Sequence, residues 1–302
     1  KIRNYQRFLN EINALKTLDH PNIIKLFEIY EDEDDVFLVQ EMCTGGELFD
    51  YVVDKEFLSE YEACVMFQQI LHSVMYCHKN AIAHRDLKPE NILLKNINKS
   101  GIKIIDFGSG WFANERVYTY IQSRFYRAPE IMLGIPYTMS IDMWSWGWIL
   151  AELYSGYPIF AGESEMDQLG LILEILGIPD EYILEQSTRK SLFFDENNQP
   201  ALKPNSRGKI RRPNTKSIPS VLRLNDKTFL DFLQRWFVWD PEERMTPDEA
   251  LMHPWILEGL PPKVLSQHKK ILGIKDEDVP NRRSKANSTT HRSQPRAEVC
   301  LK

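Results

Sequence analysis

Apolar positions along the chain change their spacing twice. Phe8, Ile12, Leu15 and Leu18 fall on one helical face with Glu11 beside it, and His20-Pro21-Asn22 ends that helix. Two strand-like runs follow, Ile23–Tyr30 and Val36–Met42, separated by an acidic turn of five carboxylates at 31–35. Thr44-Gly45-Gly46 breaks this pattern and marks a hinge. Beyond it the spacing is helical. Ser59 and Glu62 form a capping box ahead of Val65, Ile70, Val74 and Cys77. The segment Ile141–Leu153 is apolar nearly all round and carries Trp144, Trp146 and Trp148, the pattern of a helix buried at the centre of a helical lobe. Asp240-Pro241-Glu242-Glu243 and Thr246-Pro247-Asp248-Glu249 read as two successive helix starts, and His253-Pro254 closes the second helix. Residues 188–220 are polar, basic and proline-containing, which predicts a surface excursion. From Val279 onward six Lys/Arg face one Glu with almost no aliphatics, which predicts a disordered tail.

Composition narrows the class. With 302 residues the chain exceeds one ordinary core, and 43% hydrophobic residues are normal for a soluble globular protein. The net charge of -6 argues against nucleic acid as the main partner, and no apolar run is long enough to span a bilayer. Cys43, Cys64, Cys77 and Cys300 form no C-x-x-C pair, so neither a zinc site nor a disulfide framework is expected. A reducing compartment fits this usage: a cytoplasmic location, with the basic tail admitting a nuclear one. The pattern sets no oligomeric state.

The chemistry concentrates in His84-Arg85-Asp86-Leu87-Lys88-Pro89-Glu90-Asn91, followed by Asp106-Phe107-Gly108. Phosphoryl transfer needs a hydroxyl held in line and cations spread over phosphate oxygens. Asp86 is the carboxylate suited to the hydroxyl, Lys88 can neutralise charge on the transferred group, and Asn91 with Asp106 supplies two oxygen ligands for Mg²⁺. Each tripeptide alone occurs by chance; together, in this order and spacing, they are specific.

On these motifs the chain resembles the eukaryotic protein kinases from Lys1 to about Leu260. The resemblance implies an α+β, two-lobed fold whose small sheet lobe is truncated, with its first strands missing, and whose large lobe is mainly helical. It implies a lobe remnant with hinge over 1–43, a catalytic lobe over 44–260, and a basic, disordered tail over 261–302. It also implies that Glu41, Met42 and Cys43 bind adenine through their main chain, with Gln40 as gatekeeper, Leu93 beneath the ring and Glu47 at the ribose. Glu130 of Ala128-Pro129-Glu130 should pair with Arg244, Asp142 should fix the backbone at His84 and Arg85, and Leu15, Leu26, His84 and Phe107 should stack. ATP and Mg²⁺ are the implied cofactors and Ser/Thr side chains of proteins the substrates.

Residues 8–78, with FLNEINALKTLDHPNIIKLFEIYEDED and GGELFDYV, are similar to calcium-dependent protein kinases, although no EF-hand loop is present. From about Lys79 the text resembles the dual-specificity tyrosine-regulated kinases (DYRK), through ERVYTYIQSRFYRAPE at 115–130, GYPIFAGESEMDQL and RGKIRRP. Those relatives usually carry Cys where this chain has Arg85. The likeness implies autophosphorylation of Tyr120, with Arg85, Arg124 and Arg127 as ligands of the phosphate. No G-x-G-x-x-G loop and no strand lysine to pair with Glu11 occur in the sequence. The 302 residues alone are therefore expected to bind ATP poorly and to turn over little, as part of a longer natural kinase.

Overall fold

The computed structural model describes residues 2–33, 35–55, 58–97, 100–112, 121–201 and 203–275. The first helix, α1 (Ile2–Thr17), packs Ile12, Ala14 and Leu15 inward, and Leu18 follows it into the core. Strands β1 (Leu26–Glu31) and β2 (Val36–Gln40) pair antiparallel with a bulge between Leu26 and Glu28. Both strands are shorter than the apolar runs that contain them. Ile23 and Ile24 leave the pair because their loop joins the large lobe instead: Ile24 N–H donates to Ile104 O (3.0 Å) and Ile104 N–H to Asn22 O (2.8 Å).

Across the hinge, α2 (Leu48–Lys55) leads to α3 (Glu60–Lys79), whose capping box of Ser59 and Glu62 is present on both sides. Two short antiparallel pairs follow, β3 (Ile82–Ala83) with β6 (Trp111–Phe112), and between them the hairpin of β4 (Ile92–Leu94) with β5 (Ile102–Ile104). Gly45 is required by close approach, since a Cβ there would lie 2.4 Å from Leu94 Cβ.

The large lobe is organised by α5 (Ser140–Ser155), preceded by α4 (Pro129–Leu133). Every residue of α5 from Ile141 to Leu153 is buried, as its lack of a polar face predicts. Around it stand α6 (Glu165–Leu176), α7 (Glu181–Glu185), α8 (Lys190–Phe193), α9 (Ile218–Leu222) and α10 (Lys227–Gln234). The chain then forms α11 (Pro247–Met252), α12 (Pro254–Gly259) and α13 (Pro262–Leu272).

Two expectations change here and one is refined. Asp240-Pro241 opens a turn rather than a helix: Asp240 Oδ1 and O accept from the N–H groups of Glu242 and Glu243. Residues 188–220 form the expected surface excursion, mostly exposed but anchored to the large lobe. Arg211 is clamped by Asp167 (2.5 Å) and Glu174 (3.1 Å), and Phe193 and Phe194 are buried. The boundary expected at 260 falls inside packed structure, because α13 buries Leu265 and sets His268 Nδ1 3.1 Å from His72 Nε2. The segment from Val279 lies outside the described residues. No helix among the described residues is long and apolar enough to cross a membrane.

The turn at Asp240 delivers Arg244 to Glu130 of α4. Its Nη1 and Nη2 lie 2.7 and 3.1 Å from the two carboxylate oxygens, with both side chains 0% exposed. Nη1 also donates to Ser140 O and Nη2 to Val238 O, and the guanidinium lies 5.1 Å from the Trp144 ring centroid. Losing one member strands the other charge in the interior, so Arg244→Met should cost about 3–5 kcal/mol in urea unfolding. Lys79→Met, which breaks an exposed pair with Asp248 (2.9 Å), should cost under about 1 kcal/mol. Similar unfolding midpoints for the two variants would contradict this account.

Candidate active site

The loop between β3 and β4 is shaped by one buried carboxylate in α5. Asp142 Oδ2 accepts from His84 N–H and Oδ1 from Arg85 N–H, both at 2.8 Å, while His78 Nε2 lies 3.1 Å from Oδ2. Successive extended residues point their N–H groups to opposite sides, and the positive φ of Arg85 (64°) turns the second one back onto the same carboxylate. Burial alone would push the Asp142 carboxyl up, but the His78 hydrogen bond and the charges and N–H groups around it hold it below the usual carboxylate range.

His84 continues the arrangement. Its Nε2 is 2.9 Å from Ile105 O and its Nδ1 accepts from Asp86 N–H at 3.3 Å, which selects the Nε2–H tautomer. The ring packs 4.7 Å from that of Phe107, centroid to centroid. Leu15 and Phe107 share one core, with Leu26 packed against it.

With this backbone fixed, Asp86 turns toward the cleft. Oδ1 accepts from Ser123 N–H (2.9 Å) and Ser123 Oγ (2.8 Å), and Oδ2 lies 3.9 Å from Lys88 Nζ. Asn91 Nδ2 donates to Asp86 O at 2.9 Å. Asp106 has a positive φ of 61°, an exposed carboxylate, and one bond from Gly108 N–H (3.3 Å). Glu11 of α1 faces it: burial, then the Asp106 charge, pushes the Glu11 carboxyl up. Among the described residues Glu11 has no cationic partner.

The hinge segment lies along β4. Thr44 N–H donates to Lys95 O and Gly45 N–H to Leu94 O, while Glu47 bridges to Leu93. Gln40 ends β2, Met42 is exposed, and the partly buried Cys43 thiol is pushed up, chiefly by burial and then by Glu41. The Glu41 side chain turns away from the hinge to Lys103 (2.5 Å) and Lys95 (3.0 Å).

Tyr120 lies outside the described residues. The three arginines expected around its phosphate hold protein acceptors in this state. Arg85 Nε donates to Ser109 O (2.6 Å), Arg124 Nη1 to Glu163 O (2.9 Å), and Arg127 to Ile121 O, Gln122 O and Glu165.

Sequence reasoning missed Ser123, Gln122, Lys103 and Glu152. Gln122, at φ 65°, clips the segment to α5 by donating to Ile141 O and Ser145 Oγ and accepting from Ala128 N–H. Tyr126 OH donates to Glu152 Oε2 at 2.5 Å. Burial pushes the Glu152 carboxyl up to about 7, against the Tyr126 hydrogen bond and with help from the Glu90 charge. A folded value of about 7 above an unfolded 4.5 means the native state binds the extra proton between those limits. Stability from this group is thus full at low pH and lost as pH rises through 7. Glu152→Gln, which keeps an acceptor for Tyr126, should leave stability unchanged near pH 4.5 and raise it by up to about 3 kcal/mol at pH 8. A gain of the same size at both pH values would contradict the assignment.

Residues 1–256 of this chain match the protein kinase domain family. The dual specificity tyrosine-phosphorylation-regulated kinase 2 of Drosophila melanogaster is 42% identical over 279 residues, covering 89% of this chain and 38% of that protein. The dual specificity tyrosine-phosphorylation-regulated kinase 4 of Homo sapiens is 41% identical over 266 residues, covering 84% of this chain and 51% of that protein. A probable serine/threonine-protein kinase of Dictyostelium discoideum is 40% identical over 276 residues, covering 86% and 30%. The chain thus spans between about a third and a half of the length of these relatives. The family match runs unbroken through the buried Asp142 anchor, the Asp86 loop and the Glu130–Arg244 pair, and the chain belongs to the protein kinase domain family.

Proposed function

We propose that this chain is the catalytic part of a dual-specificity protein kinase that transfers the γ-phosphoryl group of ATP to Ser/Thr hydroxyls of proteins. The observation that carries the reading is the Asp86 environment. Both Ser123 donors occupy Oδ1, which leaves Oδ2 to accept the hydrogen bond of a substrate hydroxyl and take its proton as the phosphorus–oxygen bond forms. Lys88, beside Oδ2, sets a cation next to the same reacting oxygen. Asn91 spends its Nδ2 on Asp86 O, so its Oδ1 is left for a hard cation, and the exposed Asp106 carboxylate is a second oxygen donor of the kind Mg²⁺ takes. When bound, Mg²⁺ supplies neutralisation of charge on the phosphate oxygens. The main-chain groups of Glu41 and Cys43 face adenine in this reading, over Leu93, with Glu47 at the ribose.

The relatives' names carry both specificities, and the Tyr118-Thr119-Tyr120 run supports autophosphorylation at Tyr120. On phosphorylation Arg85, Arg124 and Arg127 exchange part of their carbonyl bonding for the phosphate. Substrates with Arg upstream and Pro just after the acceptor follow from the same likeness. The calcium-dependent-kinase likeness of residues 8–78 supports a mixed ancestry, and the free cysteines Cys64 and Cys77 support a cytoplasmic or nuclear home. The 302 residues by themselves are weak catalysts in this reading, because the sequence holds no glycine-rich loop and Glu11 has no cationic partner among the described residues.

Intact-mass analysis of the full-length natural protein incubated with Mg-ATP tests the proposal. Phosphate should be incorporated with Tyr120 among the sites, and Asp86→Asn should slow transfer about a thousandfold. Wild-type rates in that variant would overturn the catalytic role of Asp86, and an unmodified Tyr120 in an active protein would overturn the autophosphorylation.

A further inference from the structure

Lys103 lies at the middle of β5 with its side chain 4% exposed, an environment in which an ammonium must find partners. It finds two, from parts of the chain far apart in sequence. Nζ donates to Ile23 O at 3.0 Å and lies 2.5 Å from Glu41 Oε2. One cation therefore joins the loop after α1, the start of the hinge and the β4–β5 hairpin.

The hinge is tied at its two ends by different means. At its far end the ties are main-chain bonds to β4: Thr44 N–H to Lys95 O, Gly45 N–H to Leu94 O, and Leu94 N–H to Gly46 O. At its near end Glu41 N–H donates to Lys25 O, which binds it to the small sheet rather than to the large lobe. Among the described residues, the link from the near end to the β4–β5 hairpin is the Glu41 side chain. Two lysines reach that carboxylate, and they differ in burial. Lys95 is 49% exposed at 3.0 Å, where water and salt screen the attraction, whereas Lys103 is enclosed.

The register gives this tie a consequence. Lys103 is the cross-strand partner of Leu93, so the residue holding the hinge stands opposite the residue placed beneath adenine. We infer that Lys103 is a positioning residue which, through Glu41 and Ile23 O, locks the start of the hinge against the β4–β5 hairpin and so sets the width of the nucleotide cleft. The mechanical half of this inference stands on geometry alone; its consequence for nucleotide rests on the kinase reading above. Removing the ammonium frees the near end to swing with the small sheet. Lys95, at the rim, cannot substitute, because among the described residues the ammonium bonded to Ile23 O is that of Lys103 and the Lys95 charge is exposed.

Hydrogen–deuterium exchange of the 302-residue chain, followed in peptides covering the hinge and α5, separates local release from general weakening. Lys103→Met should speed exchange at hinge residues 42–45 at least tenfold while α5 changes less than twofold, and Lys95→Met should leave the hinge within twofold. Equal acceleration in hinge and α5, or an unchanged hinge, overturns the proposal. If Lys103→Met does not fold, Glu41→Gln provides the second arm, since it keeps Lys103 on Ile23 O; hinge exchange should rise at least threefold, and no rise overturns the proposal. In the full-length protein Lys103→Met should raise the KM for Mg-ATP at least threefold with kcat within twofold. A fall in kcat at constant KM overturns the cleft-width consequence. Should the full-length protein transfer no phosphate at all, the kinase reading fails while the exchange result still decides the tether.

Discussion

A single carboxylate that cannot reach water determines what the rest of the site can do. Asp142 is enclosed in the buried helix α5, and it remains ionised because two consecutive N–H groups and the His78 ring converge on it. The geometry demanded of those two N–H groups bends the chain at Arg85 into a conformation that a non-glycine residue adopts reluctantly. That bend aims Asp86 outward, toward Ser123 and Lys88, and leaves His84 to close against Phe107. The tryptophan-rich core thus serves the cleft by keeping water away from one hydrogen-bonded anion.

Other buried charges obey the same rule, and each ties segments distant in sequence. Glu130 and Arg244 join α4 to the turn after α10 across 114 positions. Glu165 receives both Arg127, just before α4, and Arg189, at the start of the excursion. Asp167 and Glu174 of α6 hold the excursion through Arg211 and Lys216. A buried ion pair is weak support for stability in itself but strongly specifies which surfaces meet. Here the pairs fix the segment from Ile121 to Glu130 against the helices that flank it.

Much of this was legible in the sequence wherever local rules decide. The capping box at Ser59 and the helix start at Thr246 formed as written, because the partners that decide them lie within four residues of each other. The buried helix expected over 141–153 followed from its missing polar face, and the roles of Glu130, Asp142 and Arg244 were implied by the resemblance to protein kinases. The strand ends at Ile23 and Ile24 were misplaced because Ile24 N–H and Asn22 O bond to Ile104 of β5, a partner about 80 residues away. Asp240-Pro241 carried the signature of a helix start and made a turn, since delivering Arg244 to Glu130 outweighs local preference. Ser123, Gln122, Lys103 and Glu152 had no signal at all. Each acts through contacts that only the fold creates, and an isolated Ser, Gln, Lys or Glu reads as solvated surface until the fold supplies its partners.

The most direct test of the Asp142 anchor is native-state hydrogen exchange at the His84 and Arg85 amides, read residue by residue by NMR. In the wild-type chain both should exchange only on global unfolding. In Asp142→Asn, which loses the charge and one acceptor oxygen, they should exchange about a hundredfold faster than in the wild type while amides near the middle of α5 stay protected. Rapid exchange of either amide in the wild-type chain would mean that Asp142 does not hold the loop, and the placement of Asp86 would need another cause.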